Sequence, residues 1–401
     1  MSRPRLLYAS PFPPKQSGIS DYSVALVKAL SEKFDITLYT DNYGIEEASL
    51  AEYPVLKEGV DEIPFDEFPY IIYNIGNNPY FHSYIYEACM EHPGMVILHD
   101  LVIYYLFAGY YESKGQKYTK IYKEAGPERF FELKEMVREG VIDSEVVSKL
   151  YLNGEILRSG NKIMVHSKYS YDHIVQTGFV PDGLLRKINL ISLAEPAREP
   201  DEMRKNRLYA KYHIPTDALI IASFGNIHET KLNHNVCRVV KKMTANSDRK
   251  ICYVMVGRGI SADEYLEPGL IIKTDYVELD EYQDFMNYAD IIVNLRYPSM
   301  GETSAAMVQI MRLGKPCITN NGGWFSELPE SAVCKIALDD VEGNLEAVLE
   351  KYVESPEERE QLGKAARAYF EQEYSPKVIT EQIYEFLTES EEKVALSDGI
   401  M

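Results

Sequence analysis

Short apolar runs alternate with stretches of helical apolar spacing along most of the chain. In the first half this pattern predicts strands at 5–9, 36–39, 70–73, 95–99, 162–166 and 187–190. It predicts helices at 22–34, with Ser20 or Asp21 as N-cap, after Ser167, and over the tyrosine-dense region 104–159. Because parallel strands need helical crossovers, this order predicts a parallel sheet that is covered by helices on both faces.

A second alternating set follows a polar, proline-bearing stretch at 194–207, which indicates a linker. The second set predicts strands at 219–224, 251–256, 271–273, 291–295, 316–319 and 333–337. It predicts helices at 233–243, 279–288, 341–354, 356–374 and 376–388. We therefore expect an α/β protein with two Rossmann-like parallel-sheet domains that face a central cleft. Their expected bounds are 1–193 and 208–374, with a C-terminal helix at 375–401 crossing back to the first domain.

Composition and charge narrow the classes of partner. The 401 residues carry 42 Lys+Arg against 62 Asp+Glu, a formal net charge of −20, which argues against a nucleic-acid partner. The five cysteines contain no CxxC pair, so we expect reduced thiols and no metal framework. A strand follows directly after Met1-Ser2-Arg3, so no signal peptide is expected, and the location is predicted to be cytoplasmic.

The segment 289–323 carries the most informative chemistry of the sequence. The predicted strand 291–295 runs into a Pro-Ser-Met-Gly turn and Glu302, and a helix is predicted to open at Thr303 and Ser304. Helix N-termini bind phosphate through unpaired N–H groups and a partial positive charge. A carboxylate beside such a site suits sugar hydroxyls, so the segment indicates a nucleotide-sugar.

A second candidate phosphate contact lies in the loop that leaves the strand 219–224. Gly225 is followed six residues later by Lys231, which could reach a diphosphate across the loop. The alternative interpretation is a solvated surface lysine.

These motifs, with others, resemble family 4 retaining glycosyltransferases of the GT-B fold, in particular those of bacterial polysaccharides and glycolipids. The resemblance spans nearly the whole chain. It is carried by Pro13–Gly18, Ile97–Asp100, Val165–Ser167, Gly225 to Lys231, Val256–Gly259, the segment from Leu295 to Ser304, and Gly323–Pro329.

The resemblance implies transfer of a hexose, with retention, from a nucleoside-diphosphate sugar to a hydroxyl of a glycan or lipid-linked glycan. No Asp-x-Asp motif at a strand end indicates a divalent metal, so we expect metal-independent transfer and no cofactor beyond the donor substrate. Glu302 and His99 would be catalytic, although a hydrogen-bonded structural histidine is the alternative for His99. The implied donor-binding residues are Gly18, Asn226, Lys231, Thr303, Ser304 and Gln309.

Two departures from the family pattern favour a catalytically inactive protein. Asn226 stands where the family carries an arginine, and Ile310, beside Gln309, stands where it carries a second glutamate. Arg258 or Arg296 could replace the missing positive charge. The alternatives are a catalytically inactive GT-B protein that binds a glycan or a partner, and a nucleotide-sugar epimerase on the same fold.

The region 104–123 combines six tyrosines with four lysines. Tyr and Lys together are typical of membrane interfaces, so the region predicts a peripheral contact at the inner face of the membrane, near a lipid-linked acceptor. A solvated helix with aromatic packing beneath it is the alternative.

Overall fold

The computed structural model describes residues 3–139, 143–192, 198–245 and 250–389. These residues form two compact units. The first contains residues 3–139, 143–192, 300–303 and 374–389, and the second contains residues 198–245, 250–299 and 304–373. The predicted stretch 194–207 and the C-terminal segment each lie partly outside the described residues, at 194–197 and 390–401.

Each unit is built on one parallel sheet, as the alternating pattern predicted. The strands of the first sheet are β1 (Arg5–Ala9), β2 (Asp35–Thr40), β3 (Val55–Lys57), β4 (Tyr70–Ile75), β5 (Met95–Leu98), β6 (Lys162–Val165) and β7 (Leu185–Lys187). Those of the second are β8 (Leu219–Phe224), β9 (Ile251–Val256), β10 (Ile271–Lys273), β11 (Ile291–Val293), β12 (Cys317–Asn320) and β13 (Cys334–Ile336).

Helices connect the strands in both units. In the first half of the chain they are α1 (Gly18–Leu30), α2 (Pro79–Glu91), α3 (Tyr104–Ser113), α4 (Lys117–Glu139), α5 (Ser144–Val147), α6 (Gly154–Leu157) and α7 (Lys168–Thr177). In the second half they are α8 (Glu202–Tyr212), α9 (Asn233–Ala245), α10 (Leu279–Tyr288), α11 (Ala305–Arg312), α12 (Val341–Glu354), α13 (Pro356–Glu373) and α14 (Pro376–Thr388).

The strand order of each sheet reverses at one point. The first sheet runs β3-β2-β1-β4-β5-β6-β7, and the second runs β10-β9-β8-β11-β12-β13. The order therefore reverses between β1 and β4, and again between β8 and β11. The loops that leave the carboxyl ends of such a strand pair diverge, and ligands of open α/β sheets bind in the gap.

The strands are apolar because helices cover both faces of each sheet. All six residues of β9 are buried, as are all four of β5. In the first unit, α14 packs against α1, where Lys33 pairs with Glu381 at 2.8 Å and the rings of Phe34 and Tyr384 lie 5.4 Å apart.

Three element predictions were wrong in position. α1 begins at Gly18 with Ser17 as its N-cap, since the Ser17 hydroxyl accepts a hydrogen bond from the Ile19 N–H. β7 ends at Lys187 instead of starting there. The helix α8 occupies much of the predicted linker, because Asp201 caps its first turn by accepting from the Arg204 N–H.

Candidate functional site

The residues that are predicted to bind the diphosphate lie where the strand order of the second sheet reverses. β8 pairs with β9 on one side and with β11 on the other. Gly225 directly follows β8, and the segment that leads to Ser304 follows β11. Both segments therefore leave the same carboxyl edge of the sheet, at neighbouring strands.

The loop after β8 is held to the loop after β9 by backbone contacts. The Gly225 N–H donates to the Val256 carbonyl at 3.0 Å, and the Ile227 N–H donates to the Arg258 carbonyl at 2.5 Å. A Cβ on Gly257 would lie 2.1 Å from the Gly225 carbonyl oxygen, so only glycine allows this approach. These contacts define the course of the loop that carries Lys231.

Lys231 ends a short 3-10 turn in this loop, and its ammonium group turns back toward the end of β8. Its Nζ donates to the Phe224 carbonyl oxygen at 3.4 Å. The Thr230 carbonyl in the same turn accepts a hydrogen bond from the Tyr297 N–H at 2.8 Å, which ties the turn to the loop after β11. Asn226 is exposed in the same loop.

The helix α11 begins at Ala305, later than the sequence indicated, and this changes which groups can donate to a phosphate. Ser304 is the N-cap, because its Oγ accepts a hydrogen bond from the Met307 N–H at 3.2 Å. Thr303 and Ser304 precede the helix instead of forming its first turn. The first-turn N–H groups that no intrahelical acceptor can reach belong to Ala305 and Ala306.

The two positions that resemble the family's second glutamate differ in their surroundings. Ile310 is completely buried in the second unit, so a side chain at this position faces the core. Gln309 is half-buried, and its Oε1 accepts a hydrogen bond from Arg312 at 3.4 Å. Gln309 is thus the residue of the pair with access to solvent.

Glu302 lies in the short segment 300–303, which belongs to the first unit. Its Oε2 accepts a hydrogen bond from the Met300 N–H at 2.6 Å, which orients the carboxylate. The Met300 carbonyl accepts from the Val102 N–H at 2.9 Å, and the Gly301 carbonyl accepts from Ser170 Oγ at 2.9 Å. Hydrogen bonds on both residues before Glu302 therefore fix its backbone.

Gly18 and His99 lie at the carboxyl edge of the first sheet, Gly18 at the start of the helix after β1 and His99 directly after β5. A Cβ on Gly18 would meet no atom within 4 Å, so the space in front of this helix start is open. His99 is 9% exposed, and its Nε2 lies 3.1 Å from Asn74 Oδ1.

Aromatic rings surround His99. The ring of Tyr22 meets it edge-on at 4.8 Å between centroids, and the ring of His166 lies 5.1 Å away. Burial, and then the nearby His166 and His82, hold the pKa of His99 well below its usual value. His99 is therefore neutral at physiological pH, and can act as a hydrogen-bonding group but not as a cation.

The predicted residues divide between the two units. The first unit holds Gly18, His99, Glu302 and Thr303, and the second holds Asn226, Lys231, Ser304 and Gln309.

Sequence reasoning missed two buried asparagines at the sheet edges. Asn74 contacts His99, and the Asn294 amide donates to Ser304 Oγ at 3.2 Å, which supports the N-cap of α11. Each is a polar residue at or directly after an apolar strand, and this pattern could have identified both.

Among the described residues, no group of three or more His, Cys, Asp or Glu is placed to hold a metal ion. Within the same part of the chain, no helix is long and apolar enough to cross a membrane.

The second unit is similar to one protein family, and nearly the whole chain is similar to several solved structures. Residues 204–369 match the family model of glycosyl transferases group 1. No curated protein sequence matches the chain.

Several solved structures share the fold over nearly the whole chain. HepE of Anabaena, in complex with UDP and glucose, is 14% identical with a TM-score of 0.66, covering 96% of this chain and 100% of its own. Sucrose-phosphate synthase of Thermosynechococcus elongatus is 15% identical with a TM-score of 0.65, covering 99% and 100%. WaaG, a glycosyltransferase involved in lipopolysaccharide biosynthesis, is 12% identical with a TM-score of 0.63, covering 96% and 100%. The predicted GT-B fold is thereby confirmed.

Proposed function

We propose that this protein is a retaining glycosyltransferase that moves a hexose from a nucleoside-diphosphate sugar to a hydroxyl of a glycan or lipid-linked glycan. The observation that carries the proposal is the position of Lys231. Its ammonium group lies at the carboxyl end of β8, in a loop that is hydrogen-bonded to the loop after β11. The match of residues 204–369 to a glycosyltransferase family model supports the same reaction.

The donor's diphosphate would be bound by one side-chain cation and two backbone groups. Lys231 supplies the charge, and the N–H groups of Ala305 and Ala306 supply donors at the positive end of α11. The diphosphate gains negative charge as it departs, so donors placed beforehand stabilise the transition state more than the bound substrate. We propose that these groups make the transfer independent of a divalent metal.

Asn226 and Gln309 would complete the donor site as hydrogen-bonding residues. The exposed amide of Asn226 can donate to a phosphate oxygen, although it brings no charge. The half-buried amide of Gln309 can donate to or accept from a ribose hydroxyl. UDP-sugars are the first donors to test, since HepE of Anabaena was solved with UDP and glucose.

Glu302, His99 and Gly18 would act on the sugar. The Glu302 carboxylate, oriented by the Met300 N–H, would accept hydrogen bonds from donor-sugar hydroxyls. Neutral His99 would form a further hydrogen bond to the sugar, and the open space at Gly18 would let the sugar approach the start of α1. Thr303 and Ser304 would place Glu302 next to the N-terminus of α11.

The proposed contact with a membrane depends on aromatic residues more than on lysines. Three of the four lysines, Lys114, Lys117 and Lys120, pair with Glu87, Glu112 and Glu155 at 2.6, 3.1 and 2.8 Å. Ion pairing of this kind weakens their attraction to anionic lipids. The exposed rings of the region belong to Tyr105, Tyr118 and Tyr122, which are 41%, 49% and 45% exposed, whereas Tyr104, Tyr110 and Tyr111 are buried.

The rival proposal is an inactive GT-B protein that binds a glycan or a partner. It is favoured by the uncharged Asn226 and by the burial of Ile310, which leave the donor site with fewer charges than the family pattern. Incubation with a panel of nucleoside-diphosphate sugars and slow release of the nucleotide separate the two proposals. Release from at least one donor supports the transferase, and absence of both binding and release from every donor supports the inactive protein.

A further inference from the structure

The side-chain amide of Asn74 lies between β1 and His99, and its contacts determine where the imidazole of His99 carries its proton. We propose that Asn74 is a positioning residue that keeps His99 as the neutral Nε2–H tautomer, so that Nδ1 accepts a hydrogen bond from a ligand hydroxyl. The choice of a hydroxyl as the ligand group rests on the proposed function. The tautomer itself rests on contacts within the first unit.

The orientation of the Asn74 amide follows from its neighbours. Asn74 is completely buried in β4, and its Nδ2 lies 3.2 Å from the Ala9 carbonyl oxygen. A carbonyl oxygen can only accept, so the NH₂ group must face Ala9 and Oδ1 must face His99. Because Oδ1 also only accepts, the His99 nitrogen at 3.1 Å, Nε2, must carry the proton.

The two neighbouring histidines have the opposite tautomer by the same reasoning. His82 Nδ1 lies 3.0 Å from the Asn74 carbonyl oxygen, and His166 Nδ1 lies 2.9 Å from the Ile188 carbonyl oxygen. Both must donate from Nδ1, because each partner is a backbone carbonyl. His99 therefore differs from His82 and His166 in the position of its proton.

All three imidazoles are held neutral by burial. Burial lowers the pKa of His82 to about 4 and that of His166 to about 4. The pKa of His99 also lies well below its usual value, because of burial and of the two other histidines. A neutral imidazole with Nε2 protonated leaves Nδ1 with an unshared lone pair.

This lone pair is available to a ligand. Among the residues that the structure describes, none forms a hydrogen bond to His99 Nδ1. This nitrogen is also not one of the completely buried polar atoms without a partner, so it keeps access to solvent. In contrast, His166 Nε2 is both buried and without a partner in the same part of the chain. An imidazole lone pair accepts from a hydroxyl and repels a phosphate oxygen. Under the proposed function, the group that meets His99 is therefore a sugar hydroxyl and not an oxygen of the diphosphate.

Nitrogen NMR of the full chain, labelled with ¹⁵N-histidine and without ligand, tests the tautomer. At pH 7.5 we expect His99 to show a protonated Nε2 and an unprotonated Nδ1, and His82 and His166 to show the reverse pattern in the same spectrum. A charged His99, or one protonated on Nδ1, would overturn the proposal.

Two variants test the role of Asn74. Asn74→Ala should shift His99 to a mixture of both tautomers and leave His166 unchanged, since the partner of His166 is Ile188. Asn74→Ser, which places one hydroxyl where the amide was, replaces the alanine variant if the latter does not fold. A His99 signature that is unchanged in a folded variant excludes Asn74 as the determinant.

Addition of a nucleoside-diphosphate sugar tests which ligand group contacts His99. Thermal shift measures whether the sugar binds. The Nδ1 signal of His99 should move on binding, and an unmoved signal with bound donor contradicts the hydroxyl contact. If no donor binds, the proposed function fails together with the hydroxyl contact, whereas the ligand-free spectrum still decides the tautomer.

Discussion

Gly301 lies so close to Leu101 that a Cβ on Gly301 would stand 2.3 Å from the Leu101 Cβ. The φ angle of Gly301 is +76°, in the left-handed region that favours glycine. The next residue is Glu302, whose carboxylate is held by the Met300 N–H. Two independent constraints thus make glycine necessary at the position that places the proposed sugar-binding carboxylate.

Gly301→Ala should therefore displace Glu302 and lower turnover by at least about tenfold, the effect of losing roughly 1.4 kcal/mol of transition-state stabilisation. The matched control is Gly115→Ala, since Gly115 has a φ of +66° but no atom within 4 Å of its Cβ position. Steady-state release of nucleotide from the accepted donor measures the effect. Equal activity of the two variants would show that the Leu101 contact does not position Glu302.

Lys231→Ala should weaken the binding of a nucleoside diphosphate more than that of the nucleoside. A charge-assisted hydrogen bond contributes about 1.5–3 kcal/mol, so the dissociation constant of the diphosphate should rise about 10- to 150-fold. Lys242→Ala is the control, because Lys242 is an exposed lysine of the same unit that pairs with Glu346. Isothermal titration calorimetry measures the affinity of each variant for both ligands. An unchanged affinity for the diphosphate would show that Lys231 does not bind it.

Glu302→Gln should reduce turnover far more than nucleotide affinity. The amide keeps the shape and can still accept from the Met300 N–H, but it has lost the charge that strengthens hydrogen bonds to sugar hydroxyls. Turnover is expected to fall by about 10²-fold, the range for an interaction formed mainly in the transition state. Comparable losses in turnover and in nucleotide affinity would show that the carboxylate has a structural role.

The apolar pattern predicted the strands well, because a strand that is buried on both faces is a continuous apolar run. β8 and β9 have the predicted bounds, 219–224 and 251–256. Helix starts were predicted less well. Near α1 and α11 several Ser, Thr and Asp residues could serve as N-cap, and tertiary contacts select one, such as the Asn294 amide that binds Ser304.

From the sequence, the candidate site could be predicted only as separate motifs. The residue types of Lys231, Glu302 and His99 indicated their chemistry, and the resemblance to a family indicated their roles. The tautomer of His99 depends on Asn74 and Ala9, which lie 25 residues or more away along the chain. Their contacts arise only because β4 pairs with β1 on one side and with β5 on the other. No local pattern contains this information.

The buried histidines predict a loss of stability at acidic pH. His82 and His166 have folded-state pKa values of about 4, below the unfolded value of 6.5, so the unfolded state binds more protons as the pH falls. Stability is complete above about pH 6.5 and declines toward pH 4, by roughly 2 kcal/mol for each histidine at pH 5.

Urea unfolding at pH 7.5 and pH 5.0 measures this loss. His166→Asn should reduce the difference between the two pH values, whereas His213→Asn, at the exposed end of α8, should leave it unchanged. An equal pH dependence of the His166 variant and the wild type would show that His166 is not buried in its neutral form.

Tyr118 and Tyr122 provide the last prediction, that any binding to membranes is insensitive to salt. Their rings are about half exposed, whereas Lys114, Lys117 and Lys120 are already paired with carboxylates. Contact through aromatic rings persists when salt screens charges, because burial of apolar surface does not depend on the Debye length. Tyr118→Ser with Tyr122→Ser should abolish co-sedimentation with liposomes, and a triple Lys→Glu variant should retain most of it. Loss of binding at 0.5 M salt in the wild type would instead identify the lysines as the contact.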